Sequence, residues 1–271
     1  MNYKMKEKSL IHSWEKPMRF INIMIFIIAL LGGTAFLIMS LMSDPENITD
    51  ESLTVFMIFP LIVMIFVTMG RQYGKSRANS VEINEKQFPE VYEIVKEFSE
   101  KLELGYVPEV YLTQAGGAIN AFATSFLSKK YISINSAIFE IAYLEHKDMD
   151  TVSFIIGHEL AHIKRNHVTF KTAILESVAR MIPIWRSAQS RAKEYTCDRH
   201  AAWLAPEGKK GLILLATGKH MYKHVDIEAY LEQSKHYKGF FFWLYNLLAS
   251  HPAGPKRMRA LLEEGNEGEM F

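Results

Sequence analysis

An α+β, mainly helical fold preceded by two transmembrane helices is what this sequence predicts, and three observations carry that reading. Two long uncharged apolar runs, 20–42 and 53–70, lie in its first quarter. Short segments of strand composition cluster between 110 and 135. Most of the chain beyond residue 136 places its apolar residues at helical spacing.

The apolar runs come first. Phe20 to Met42 is long enough to span a hydrocarbon core of about 30 Å. It is too long for a signal peptide, and no clean small-x-small cleavage site follows it. Leu53 to Gly70 is shorter and holds Pro60, which spanning helices tolerate better than soluble ones. Lys4, Lys6, Lys8, Lys16 and Arg19 precede the first run, and Arg71, Lys75 and Arg77 follow the second. The loop between them, Ser43 to Ser52, carries Asp44, Glu46, Asp50 and Glu51 with no Lys or Arg. Positive flanks stay in the cytoplasm. The expected organisation is therefore a basic cytoplasmic segment 1–19, a transmembrane hairpin 20–70, a cytoplasmic domain 71–262, and a polar tail 263–271 without fixed structure.

Within the domain, 88–104 reads as a surface helix ending at Gly105. Val110 to Leu112, Phe122 to Phe126 and Lys130 to Asn135 read as strands, and Ser136 to Leu144 as a short helix. Tyr131, Ile132, Ser133 and Ile134 are either an edge strand on which an extended ligand could lie or an ordinary internal strand. Asp148 is an N-cap opening a helix through Asn166. Further helices are expected over 172–185, 190–202 and 239–248. The first and last of these are apolar enough for core packing or for contact with lipid.

Composition narrows the function. Thirty-one basic against 30 acidic residues leave a net charge of +1, so nothing points to nucleic acid as a partner. Cys197 is the one cysteine, which excludes an internal disulfide and fits a reducing compartment. No Cys-His signature surrounds it, and it reads as packed rather than reactive.

The chemistry is concentrated in His158-Glu159-Leu160-Ala161-His162. Residues four apart share a helical face, so both imidazoles can reach one metal ion. Catalytic zinc takes three protein ligands and keeps the fourth position for water. Glu159 sits beside that water as a candidate general base. Two satisfied core histidines would be the ordinary alternative, but that does not account for a Glu between them on an apolar stretch. Glu194 and Asp198 are also four apart on a helix, so Glu194 can be the third ligand. Asp198 can accept a hydrogen bond from the non-ligating nitrogen of a zinc histidine. Glu176, His167 and His200 are weaker candidates, since none has a supporting partner one turn away.

These motifs, with Asn120-Ala121-Phe122-Ala123 upstream and Ser250-His251-Pro252 followed by Arg257, resemble the HtpX-type zinc metallopeptidases, a membrane-associated family that includes the C-a-a-X prenyl proteases. The resemblance covers about 80–262. It implies a zincin-like metallopeptidase domain with one Zn2+ per chain on His158, His162 and Glu194. Glu159 would be the catalytic acid/base, Asp198 the support of a ligand, and His251 and Arg257 groups near the reacting carbonyl. Asn120 and Ala121 join Tyr131, Ile132 and Ser133 as candidate substrate contacts. One departure stands out: HtpX proteins resemble four-span proteins, whereas Ile163 to Lys193 is too short here for two spans. The expected function is membrane-bound, zinc-dependent hydrolysis of polypeptides near the bilayer, in membrane-protein quality control. The alternatives are a non-catalytic zinc-stabilised membrane protein and a metal-free adaptor.

Overall fold

The computed structural model describes residues 3–43 and 58–270. It is mainly helical, with one small mixed sheet. Helix α1 (Tyr3–Leu10) leads into the long α2 (Glu15–Ser43), and α3 (Ile58–Asn79) follows. Among the described residues, α2 is the helix long and apolar enough to cross a membrane, and its apolar stretch is not buried. The second expected run falls partly outside the described residues. Its remainder forms the first half of α3, where Val63, Met64, Phe66 and Val67 are exposed. The acidic loop also lies outside them.

Strand β1 (Ser80–Glu82) and helix α4 (Pro89–Lys101) come next, then β2 (Glu109–Thr113), β3 (Ala121–Phe126) and β4 (Lys129–Asn135). The sheet order is β1-β2-β4-β3, with β4 parallel to β2 and antiparallel to β3. This settles the open reading of Tyr131, Ile132 and Ser133. They lie on an internal strand with both ladders filled and are fully buried, so they offer no edge to a substrate. The edges belong to β1 and β3.

Beyond the sheet, α5 (Ser136–Glu140) runs through a π turn into α6 (Met149–Lys164). Asp148 caps α6, its carboxylate accepting from the Thr151 backbone N–H at 3.0 Å. A single helix over 172–185 does not form. Helix α7 (Phe170–Glu176) and a 3-10 turn (Ala179–Met181) precede α8 (Pro183–Leu204). Pro183 is the cause: it suits a first turn but cannot donate inside a helix. The remaining helices are α9 (Gly211–Thr217), α10 (Ile227–Gln233), α11 (Phe240–Leu248) and α12 (Gly254–Leu262). Helix α11 leaves Phe240, Phe241, Trp243 and Tyr245 exposed, so its aromatic run is not core.

The centre of the fold is the packing of α6 on α8. Gly157 permits it: a Cβ there would lie 3.2 Å from the Ala201 Cα and 3.3 Å from Leu204 Cδ1. Two segments that look unremarkable in sequence complete the core. Tyr3 and Leu10 of α1 are buried against it, and the Tyr3 hydroxyl meets His200 Nε2 at 3.1 Å. The tail is ordered, contrary to expectation. Arg191 Nε donates to the Met270 carbonyl at 2.7 Å, Tyr195 to that of Glu269 at 3.1 Å, and Arg199 to that of Glu267 at 2.9 Å. Polar composition left the tail free, but the backbone carbonyls it offers are what these buried side chains need.

Candidate metal centre

Helix α6 carries His158, Glu159 and His162, and α8 carries Glu194 and Asp198 opposite them. His158 Nε2 and His162 Nε2 are 3.2 Å apart. Each lies 3.5 Å from a different oxygen of Glu194. Ligands roughly 2.05 Å from a tetrahedral metal stand about 3.3 Å from one another. Two imidazole nitrogens and a carboxylate at this mutual spacing therefore fit a zinc ion.

Each of these groups is held from behind. His158 Nδ1 donates to Asp198 Oδ1 at 2.9 Å, and Asp198 in turn accepts from Arg257 Nε at 2.7 Å and Nη2 at 2.6 Å. Arg257, on α12, also reaches Glu194 at 3.3 Å. His162 Nδ1 faces His167 Nδ1 at 3.1 Å. Burial works against the charge on Glu194, but hydrogen bonds from His158, His162 and His251 hold its carboxyl well below the usual range. Burial opposes the charge on Asp198 too, and Arg257 more than offsets it. The same two carboxylates lift His158 to about 10 against its burial. Burial takes His167 the other way, down to about 3.

Cys197 is a competing donor, since its sulfur and the two motif histidines offer atoms within 4.8 Å of one another. Its sulfur lies 3.7 Å from His167 Nδ1. Burial pushes its thiol well up, away from the thiolate that binds metals. Glu194, ionised and with an oxygen 3.5 Å from each imidazole Nε2, is the better third donor.

A cleft of about 370 Å³ opens over this set. Glu159, almost buried, lines it beside His158 and Glu194, with Asn120, Ala121 and His251 at its walls. Ala121 begins β3 and Asn120 immediately precedes it, so an edge strand of the sheet meets the cleft there. His251 arrives from the loop after α11. That helix ends at Leu248, as its apolar run predicts. Side chains of α8 take its last carbonyls: Ser187 Oγ donates to Leu248 at 2.6 Å, and Arg191 Nη1 to Asn246 at 2.6 Å and Ala249 at 2.7 Å. The released loop puts His251 Nδ1 3.0 Å from Glu194, and this hydrogen bond raises its pKa.

His167, which the sequence offered only as a weaker candidate, and Glu15, which it did not offer, are neighbours of the site. Glu15 is far away in the chain, and no local spacing connects it to the motif.

Residues 85–189 match peptidase family M48, a region that holds the two histidines but stops short of Glu194. A protease HtpX homolog of Helicobacter pylori (strain Shi470) is 22% identical across 95% of this chain and 95% of its own length. Another, from Thermodesulfovibrio yellowstonii, is 36% identical over 34% of this chain and 30% of its own length. The crystal structure of S. mikatae Ste24p superposes with a TM-score of 0.48 at 15% identity, covering 96% of this chain and 69% of that one.

Proposed function

Because this chain is a relative of the HtpX-type peptidases of family M48, we propose that it is a membrane-bound, zinc-dependent endopeptidase. The observation that carries the reading is the set of three donors, spaced 3.2 to 3.5 Å apart beside Glu159 on the wall of a cleft. His158, His162 and Glu194 hold the metal, which when bound supplies a Lewis acid and an acidified water.

The chain's own groups do the rest. Glu159 accepts the proton of the attacking water and passes it to the leaving nitrogen. Asp198 fixes the His158 tautomer by accepting at Nδ1, which leaves Nε2 free to ligate. Arg257 keeps Asp198 ionised and in place. His251, tethered to Glu194 through Nδ1, gains a second N–H at Nε2 when protonated, a form that Glu194 favours, and can turn it toward the oxygen on which charge develops. An extended peptide can pair with the open edge of β3 at Asn120 and Ala121.

Helix α2 and the apolar run ending in α3 form the anchor, with the catalytic side in the cytoplasm. Exposed Met181, Ile182 and Ile184 lie beside α2, to which Trp185 is tied by a 2.6 Å hydrogen bond to Asn22. With α11, they are the surfaces that would meet lipid. Substrates would be membrane-proximal polypeptides, and the task quality control.

The test is Glu159→Gln against wild type on an unfolded polypeptide, with zinc measured on both. The variant should retain about one zinc per chain and lose nearly all cleavage. Equal cleavage would remove Glu159 from the mechanism, and a wild type that holds zinc without cleaving would make the metal structural.

A further inference from the structure

His158 has a carboxylate behind it, and His162 does not. The Nδ1 of His162 faces a second imidazole, His167, at 3.1 Å. On its far side, His167 Nε2 lies 3.4 Å from Oε1 of Glu15. That oxygen also accepts from Arg165 Nε at 2.9 Å and Nη2 at 2.8 Å. Glu15 and the His167 side chain are each about 95% buried.

The protons of this row follow from the ligand role. An Nε2 that binds metal carries no proton, so neutral His162 bears its proton on Nδ1 and donates it. His167 Nδ1 must then accept, which leaves its proton on Nε2, facing Glu15. The Cys197 sulfur stands beside the row, 3.7 Å from His167 Nδ1, and the row ends on a carboxylate anchored by an arginine. Helix packing alone gives no reason to bury three polar groups in line.

We propose that His167 and Glu15 are positioning residues for the metal, Glu15 fixing the orientation of His162 through an interposed imidazole. The proposal rests on the zinc reading above. It extends the usual carboxylate–histidine–metal arrangement by one ring. Glu15 stands on the first turn of α2, the helix that continues into the apolar run. The anchor therefore contributes the outermost member of the metal site, and seating of α2 sets how tightly the metal is held.

The experiment measures the zinc dissociation constant of the full-length chain in detergent by chelator competition, together with its melting temperature. Four forms are compared: wild type, Glu15→Gln, His167→Phe and His167→Asn. His167→Phe fills the space without an acceptor and leaves the Glu15–Arg165 pair intact. It should weaken binding about 10- to 100-fold, as should Glu15→Gln. His167→Asn can place its amide oxygen where Nδ1 stands, and should bind close to wild type. Should Glu15→Gln fail to fold, the two His167 variants decide alone. Wild-type affinity in His167→Phe overturns the proposal. So does a His167→Asn as weak as His167→Phe, because packing would then be the cause. If wild type itself takes up no zinc, the zinc reading fails and this inference with it.

Discussion

Removing the Arg257 guanidinium should damage both stability and the metal site, in amounts that follow from its contacts. It is 6% exposed and makes two short hydrogen bonds to Asp198 and a longer contact to Glu194. Arg257→Gln strands a buried carboxylate, a loss of about 3–5 kcal/mol. At about 2–4 °C per kcal/mol for a chain of this size, melting should fall by about 6–20 °C. Arg257→Lys should fall between, since one ammonium cannot match a bidentate pair. Asp198 can escape part of the cost by taking up a proton, and it then becomes a poorer acceptor for His158. Zinc affinity should therefore drop about 10- to 100-fold. In wild type the depressed Asp198 pKa contributes stability above its ordinary value of 3.8, which is lost as pH falls further. The gap between wild type and Arg257→Gln should accordingly narrow in acid. Thermal unfolding of the zinc-stripped protein across pH, with zinc titrations alongside, gives both numbers. A variant melting within about 2 °C of wild type, with unchanged zinc binding, would refute the reasoning.

Gly157→Ala should be near neutral, because a helix-propensity gain of about 1 kcal/mol offsets a tight Cβ contact. Gly157→Val should cost about 1–3 kcal/mol and weaken zinc as α6 and α8 separate; calorimetry and the same titration check both. His200 is held neutral by burial, its pKa lowered to about 4 from 6.5. The unfolded chain binds the extra proton between those values, so stability should fall as pH drops from 6.5 toward 4. His200→Leu should flatten that slope in thermal melts. For topology, a cysteine placed in 44–52 should react with impermeant thiol reagents in intact cells, whereas one placed after Lys75 should react only once the membrane is opened; the reverse pattern would put the catalytic domain outside.

The juxtaposition of the proposed metal-binding groups was legible in sequence because its parts are local. His158 and His162, like Glu194 and Asp198, are one turn apart, and Asp148 caps a helix through its own third neighbour. Pro183 was equally legible as a break in the 172–185 pattern. Strand order was not: Tyr131 to Ser133 carry the same alternation whether one neighbour pairs with them or two do. The docking of α1 was hidden for another reason. Its burial rests on Tyr3 and Leu10 within a run rich in lysine, which reads as a solvated membrane flank. The place of His251 depended on α8 side chains ending a distant helix, a contact with no trace in either segment alone.

The distance along the chain between Tyr3 and its partner His200 has a consequence for synthesis. The pair is separated by 197 residues. Ribosomes add about 5–20 residues per second, so about 10–40 s pass between the two. The tail contact of His12 with the Gly268 carbonyl spans 256 positions and comes later still. During that interval α2 has emerged while the faces of α1 have nothing to pack against. Arg257, which orders the cluster behind the ligands, is translated near the very end. Ordering of the proposed metal site is thus deferred until the segment that carries Arg257 has been made.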